Sequence, residues 1–208
     1  MKKESIYKLT ITAILTAIII IMTFIPAIGY LKIGVLSITF LTVPVIIGAV
    51  SNGPGIGAVL GLVFGLTSFM QCFGIGPDSP LGTLLLGISP VKTAILCIVP
   101  RVLIGVVCGF IYKGLSKTKA PKIVQYAISA ISAPLTNTIL FMGTLVVFFW
   151  KTDVFQAEVL QGVKISVFDF IITSVGINGI VELIVCSILG TVILIPLQKA
   201  VSKYQITK

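Results

Sequence analysis

The sequence predicts an all-α integral membrane protein, a single six-helix transmembrane domain over residues 1–208, and three observations predict it. The chain is 57% hydrophobic and only 10% charged, with a mean hydropathy of +1.18, whereas soluble domains carry about 25% charged residues. Three stretches have no charge at all, Leu9 to Leu31, Ile33 to Pro77 and Ile123 to Trp150, and a helix needs about 20 apolar residues to cross a bilayer. The lysines gather at the ends of the apolar runs.

The first helix is expected over 6–26. Met1-Lys2-Lys3 ahead of an apolar core could open a signal peptide, but the core exceeds the roughly 7–15 residues of such segments and no small-residue cleavage site precedes Pro26, so it reads as a retained span. Asn52-Gly53-Pro54-Gly55 is a turn signal that divides the long uncharged stretch into a short second helix, 43–52, and a third, 54–73. The fourth helix is expected over 90–115, the fifth over 121–149 and the sixth over 166–198, with Lys113 to Lys122 as a basic connection. Three outer loops follow the first, third and fifth helices. Ala27 to Thr42 alternates apolar residues (Ile33, Val35, Ile38, Phe40) and is expected to fold back onto the bundle. Phe73 to Ser89 is rich in Gly and Pro, and Trp150 to Lys164 is polar.

Orientation follows from the positive-inside rule. Lys2, Lys3, Lys8, Lys113, Lys117, Lys119, Lys122, Lys199, Lys203 and Lys208 fall on one side, against Lys32, Lys92, Lys151 and Lys164 on the other with the acids Asp78, Asp153, Glu158 and Asp169. Both termini are therefore expected in the cytoplasm. A five-span alternative, with 43–73 as one bent helix, would separate the termini and spoil this distribution.

Several function classes drop out. Histidine is absent, which removes the commonest general base and the commonest zinc ligand. Cys72, Cys97, Cys108 and Cys186 form no C-x-x-C pair and read as small buried side chains rather than disulfides or metal ligands. No P-loop, G-x-S-x-G or H-E-x-x-H motif occurs. No cofactor or metal is expected, and the net charge of +9 lies at span ends rather than in a nucleic-acid-binding patch.

Against this background Arg101 stands out. It lies between Cys97-Ile98-Val99-Pro100 and Val102-Leu103-Ile104, and a charge inside a span marks a functional site by default. At about 1.5 Å per residue, Arg101 lies roughly 18 Å above Lys113, Asn137 roughly 22 Å above Lys122, Glu182 roughly 25 Å above Lys199 and Asn178 roughly 31 Å above it. These groups, with Gln71 near the end of the third helix, fall at one level in the outer half of the bilayer. Asn178 and Glu182, at i and i+4, share a helix face, and Thr136-Asn137-Thr138 clusters polarity. The convergence suits an outward-facing pocket for a small polar solute, and a guanidinium suits a carboxylate. The alternative is a structural Arg101–Glu182 ion pair with the asparagines bonding neighbouring helices. Gly53, Gly57, Gly61 and Gly65 recur every four residues, a close-packing pattern, and Ala13-Ile14-Leu15-Thr16-Ala17 repeats it on the first helix, facing either the bundle or a partner.

Six helices with Ala-x-x-x-Ala on the first and a loop over the pocket resemble the substrate-binding S components of energy-coupling factor (ECF) vitamin transporters, over nearly the whole chain. Ile38-Thr39-Phe40-Leu41-Thr42-Val43-Pro44 and the following residues to Ala49, then Gly53-Pro54-Gly55-Ile56-Gly57-Ala58, look like that family's second helix and the turn into its third. Pro100-Arg101-Val102-Leu103-Ile104-Gly105 resembles its fourth helix, and Leu135-Thr136-Asn137-Thr138 looks most like the pantothenate branch. The resemblance implies capture of a vitamin from outside the cell membrane, with Arg101, Asn137, Asn178, Glu182, Gln71 and Thr42 as candidate substrate-binding residues. It implies docking through Ala13 and Ala17 on a transmembrane coupling subunit driven by two ATPase subunits. Pantothenate has a carboxylate for Arg101; riboflavin, the nearest alternative, is neutral. An integral-membrane lipid-modifying enzyme and a ligand-free assembly protein are the alternatives of other classes.

Overall fold

The computed structural model describes residues 3–25, 29–33, 36–77, 79–160 and 165–206, without the side chains of 3–5, 31–33, 36–38, 177–178 and 200–206. The elements run α1 (Lys3–Phe24), β1 (Tyr30–Ile33), β2 (Leu36–Thr39), α2 (Thr42–Asn52), α3 (Pro54–Cys72), α4 (Pro80–Ile88), α5 (Pro90–Leu115), α6 (Lys122–Phe149), α7 (Asp153–Glu158) and α8 (Val167–Ile206). Proline sits in the first turn of α3, α4 and α5, where its missing N–H would have had no intrahelical partner anyway.

Five described helices are long and apolar enough to cross a membrane, over Ile6–Phe24, Pro54–Cys72, Pro90–Leu115, Lys122–Phe149 and Gly179–Lys199. The expected second helix exists but is different in kind. At 11 residues α2 is about 16 Å long, half the thickness of a hydrocarbon core. It is also enclosed: every residue from Thr42 to Val50 is buried, with α1, α3, α5, α6 and α8 around it. A segment with no lipid-facing surface needs no span length, which is why its apolar run is short. The turn that ends it works through Gly53, whose φ of 93° lies where only glycine is comfortable.

The glycines of α3 pack inside the bundle. A Cβ on Gly57 would lie 2.5 Å from the Gly105 carbonyl oxygen, and one on Gly65 would lie 2.8 Å from Ile98 Cα. A Cβ on Gly61 would run into the backbone carbonyl of Arg101. The ladder thus brings α3 and α5 to backbone contact, the closest approach two helices can make, and its middle rung fixes the height and distance of Arg101. On α1, Leu15, Ile19 and Thr23 are buried, and Thr23 Oγ1 lies 3.2 Å from Thr67 Oγ1 of α3. Ala13 and Ala17 are exposed, so they face away from the core.

Three features depart from an all-α bundle of plain spans. The loop after α1 carries an antiparallel hairpin, with Tyr30 opposite Thr39 and Ile33 opposite Leu36. It lies on α8, where Cys186 Sγ donates to the Thr39 carbonyl at 3.3 Å. Of the alternating apolar residues in this loop, Val35 lies outside the described residues. The second and third loops contain α4 and α7, short helices held by packing: Leu85 of α4 is buried, and Phe155 of α7 sits among Trp150 and Phe170 at ring-centroid distances of 6.4 and 5.7 Å. Finally, α8 is broken at Gly176 (φ 34°, ψ −140°), leaving the long apolar segment from Gly179 onward as the spanning part.

Candidate functional site

The site begins with a proline. Pro100 lies inside α5, and because proline has no N–H it leaves the carbonyl of the residue four positions earlier without its helical partner. That carbonyl belongs to Leu96. Arg101 Nη1 donates to it at 2.9 Å, so the side chain folds back along its own helix to satisfy the oxygen that its neighbour orphans. The guanidinium carbon then lies 4.7 Å from the ring centroid of Phe141 on α6 and 5.7 Å from that of Phe64 on α3. A cation held over aromatic faces away from water gains about 2 kcal/mol. The hydrogen bond and the two rings together fix the head group, and Gly61 holds the backbone beneath it close to α3.

What this leaves open is as telling. Arg101 Nε is buried with no hydrogen-bond partner. No carboxylate lies within ion-pair distance of the guanidinium among the described residues. Glu182 therefore does not neutralise Arg101 by direct pairing; it lies toward the Thr39 backbone of the hairpin. A second orphan, Asn137 Oδ1, is buried on α6. A buried polar atom left unpaired costs about 1–3 kcal/mol, so two in one place call for a partner.

The residues that carry both orphans line one cavity of about 190 Å³, whose lining includes Arg101, Asn137, Glu182 and Gln71. Of the residues singled out from the sequence, these four come together. Thr42 does not: it is fully buried at the start of α2, its Oγ1 unpartnered, outside the lining of this cavity. The side chain of Asn178 lies outside the described residues. Ala13 and Ala17 sit apart on the outer face of α1.

The hairpin supplies one wall through Tyr30 and Thr39, and α4 supplies another through Leu81, Gly82 and Leu85. Gln71 Nε2 donates to the Tyr30 hydroxyl at 3.0 Å, tying the hairpin to the end of α3. Burial raises the Tyr30 phenol above its ordinary pKa, so it stays protonated and remains a hydrogen-bonding group. Cys72 and Cys97, with Sγ atoms 3.8 Å apart, line the cavity between α3 and α5.

Sequence reasoning missed Phe64, Ser68 and Phe141 as lining residues, although helical spacing carried the signal. Phe141 follows Asn137 by four residues and Cys97 precedes Arg101 by four, so each shares its neighbour's face; Phe64, Ser68, Gln71 and Cys72 form one such row on α3. The alternation in the hairpin pointed to folding back but not to which residues face the cavity, and α4 carried no periodic signal, so Tyr30 and Gly82 could not be assigned that way.

Residues 7–194 match the family model described as "ECF transporter, substrate-specific component". A pantothenic acid transporter, PanT, from Lactococcus lactis subsp. cremoris is 29% identical over 170 residues, which cover 78% of this chain and 78% of that relative. With the five apolar helices, the family match makes the chain a multi-pass membrane protein.

Proposed function

This chain belongs to the family of substrate-specific components of ECF transporters, a transport component rather than an enzyme, and on that premise we propose that it captures pantothenate at the cavity beneath the hairpin. The observation that carries the proposal is one cavity lined by Arg101, Asn137, Gln71 and Glu182, with the arginine Nε buried and no carboxylate paired to the guanidinium among the described residues. A solute with a carboxylate for Arg101 and hydrogen-bonding amide and hydroxyl groups for Asn137, Gln71 and Glu182 suits that lining. Pantothenate is such a molecule: small, acyclic and anionic. The resemblance to PanT, which is named for pantothenic acid, points the same way. Riboflavin would leave the guanidinium without an anionic partner.

The remaining roles follow from this reading. The protein resides in the cell membrane with both termini in the cytoplasm, α2 serving as the sixth crossing; the ten-to-four lysine distribution supports this. The hairpin and α4 act as the outer cover of the cavity. The exposed Ala13–Ala17 face of α1 docks on a transmembrane coupling subunit that works with two ATPase subunits. Thr42 and Asn178 are secondary candidates for ligand contact.

The deciding experiment is isothermal calorimetry on the purified protein in detergent, titrated separately with pantothenate, riboflavin and other water-soluble vitamins. One-to-one binding of pantothenate alone is the expected result. Binding of a neutral vitamin in preference to pantothenate overturns the specificity, and binding of none overturns capture.

A further inference from the structure

A second cavity lies at the opposite end of the bundle. It has a volume of about 460 Å³ and is lined by Tyr112 of α5, Lys122, Ile123 and Tyr126 of α6, and Ile195, Gln198 and Lys199 of α8. Tyr112 lies eleven residues along α5 from Arg101, so the two sites are separated by about 16 Å along that helix. No part of the proposed vitamin site uses these residues.

The lining divides into two chemistries. Lys122 and Lys199 are exposed at its margin, and Lys122 Nζ lies 3.5 Å from Gln125 Oε1 on its own helix. Tyr112 and Tyr126 stack with ring centroids 5.8 Å apart, and Gln198 is held by its Nε2 donating to Ser51 Oγ at 3.0 Å. The apolar part is Ile123 and Ile195, 56% and 39% exposed, on two helices that face lipid. Lys113, Lys117 and Lys119 crowd the adjoining connection.

We propose that this cavity is a specific site for an anionic phospholipid, its phosphate held between Lys122 and Lys199 and its acyl chains running along Ile123 and Ile195. A free anion would use only the polar half and leave the apolar half bare. A zwitterionic lipid would fill the apolar half but bring its own cation toward two lysines. Basic clefts between helix ends at the membrane surface select anionic head groups for this reason. A lipid bridging α5, α6 and α8 would also tie together the three helices that carry Arg101, Asn137 and Glu182.

The test is native mass spectrometry of the full-length protein from detergent micelles, with dioleoyl phosphatidylglycerol and dioleoyl phosphatidylcholine competing for retention. Two lysines at a lipid surface correspond to a preference of about 30-fold for the anionic lipid. The double variant Lys122→Gln, Lys199→Gln is expected to lose that preference, and Lys122→Arg, Lys199→Arg to keep it. Vitamin titration of each variant at the other cavity reports whether it is folded. Equal retention of the two lipids by the unaltered protein, or an undiminished preference in the glutamine variant, overturns the proposal. Displacement of the lipid by millimolar inorganic phosphate also overturns it, since the site would then be one for free phosphate.

Discussion

Replacing Arg101 with glutamine is expected to abolish high-affinity pantothenate binding while leaving the unliganded protein nearly as stable as before. Guanidinium has five N–H donors; one, on Nη1, is committed to the Leu96 carbonyl and one, on Nε, is buried without a partner. The donors beyond the Leu96 bond are available to a carboxylate, and truncating one side of a buried, hydrogen-bonded charge pair costs about 2–5 kcal/mol. At 1.4 kcal/mol per factor of ten, that weakens binding by about 30-fold to about 4,000-fold. Stability behaves differently. Loss of the Leu96 bond, about 1.5–3 kcal/mol, and of the contacts with Phe64 and Phe141, about 2 kcal/mol, is offset by no longer burying an unpaired cation, which costs several kcal/mol. The assay is calorimetry for affinity alongside a thermal melt without ligand. Affinity within about threefold of the unaltered protein refutes direct contact with the carboxylate. A collapse of the unliganded melting temperature that matches the loss of binding refutes the functional role and makes Arg101 a structural residue.

Four further outcomes follow from the same geometry. Pro100→Ala restores an N–H that competes for the Leu96 carbonyl, so thermal stability is expected to rise while vitamin affinity falls about tenfold, in line with a lost charged hydrogen bond; a more stable variant that binds normally rules out the arginine latch. Gly61→Val drives a side chain into the Arg101 backbone and is expected to cost about 1–3 kcal/mol in denaturation and to weaken binding, whereas Gly143→Ala, which meets nothing within 4 Å, is expected to stabilise α6 by about 0.5–1 kcal/mol; similar effects of the two would sink the packing argument. Ala13→Trp and Ala17→Trp are expected to stop vitamin uptake by cells and leave detergent-phase binding unchanged, and joint loss of both would return this face to internal packing. Glu182→Gln is expected to change pantothenate affinity by less than about fivefold, or about 1 kcal/mol, because glutamine keeps a hydrogen-bonding oxygen; a large gain in affinity would mean that the carboxylate had been competing for Arg101.

The spans were legible because a span needs about 20 mostly apolar residues, and the lysines, glycines and prolines gather near its ends. The expected helices 54–73, 90–115 and 121–149 compare with Pro54–Cys72, Pro90–Leu115 and Lys122–Phe149. Elements held by tertiary packing were not legible: α4, α7, the pairing within the hairpin and the break at Gly176 are each too short or too irregular to repeat a pattern. The level of the site was legible for a physical reason too. Rise per residue is fixed, so counting from the terminal lysines gave similar heights for Arg101, Asn137 and Glu182, which line one cavity in the structure. Rotation about each helix axis was less so, and Thr42, chosen on the family resemblance, lies outside the lining.

The dipeptide Pro100-Arg101 shows what pairwise reading of a sequence omits. Taken singly, each residue is a liability inside a bilayer, one a helix breaker that strands a carbonyl and the other an unpaired charge. In the structure the second satisfies the oxygen stranded by the first. The helix continues through the proline, and the arginine is oriented without a counter-ion from the protein. Had Glu182 paired with it, the cation would have been neutralised and anion capture would require breaking that pair. Anchored instead by a neutral carbonyl and two aromatic faces, the guanidinium keeps its charge available and its Nε unsatisfied. That arrangement favours a ligand that brings its own carboxylate over one that does not.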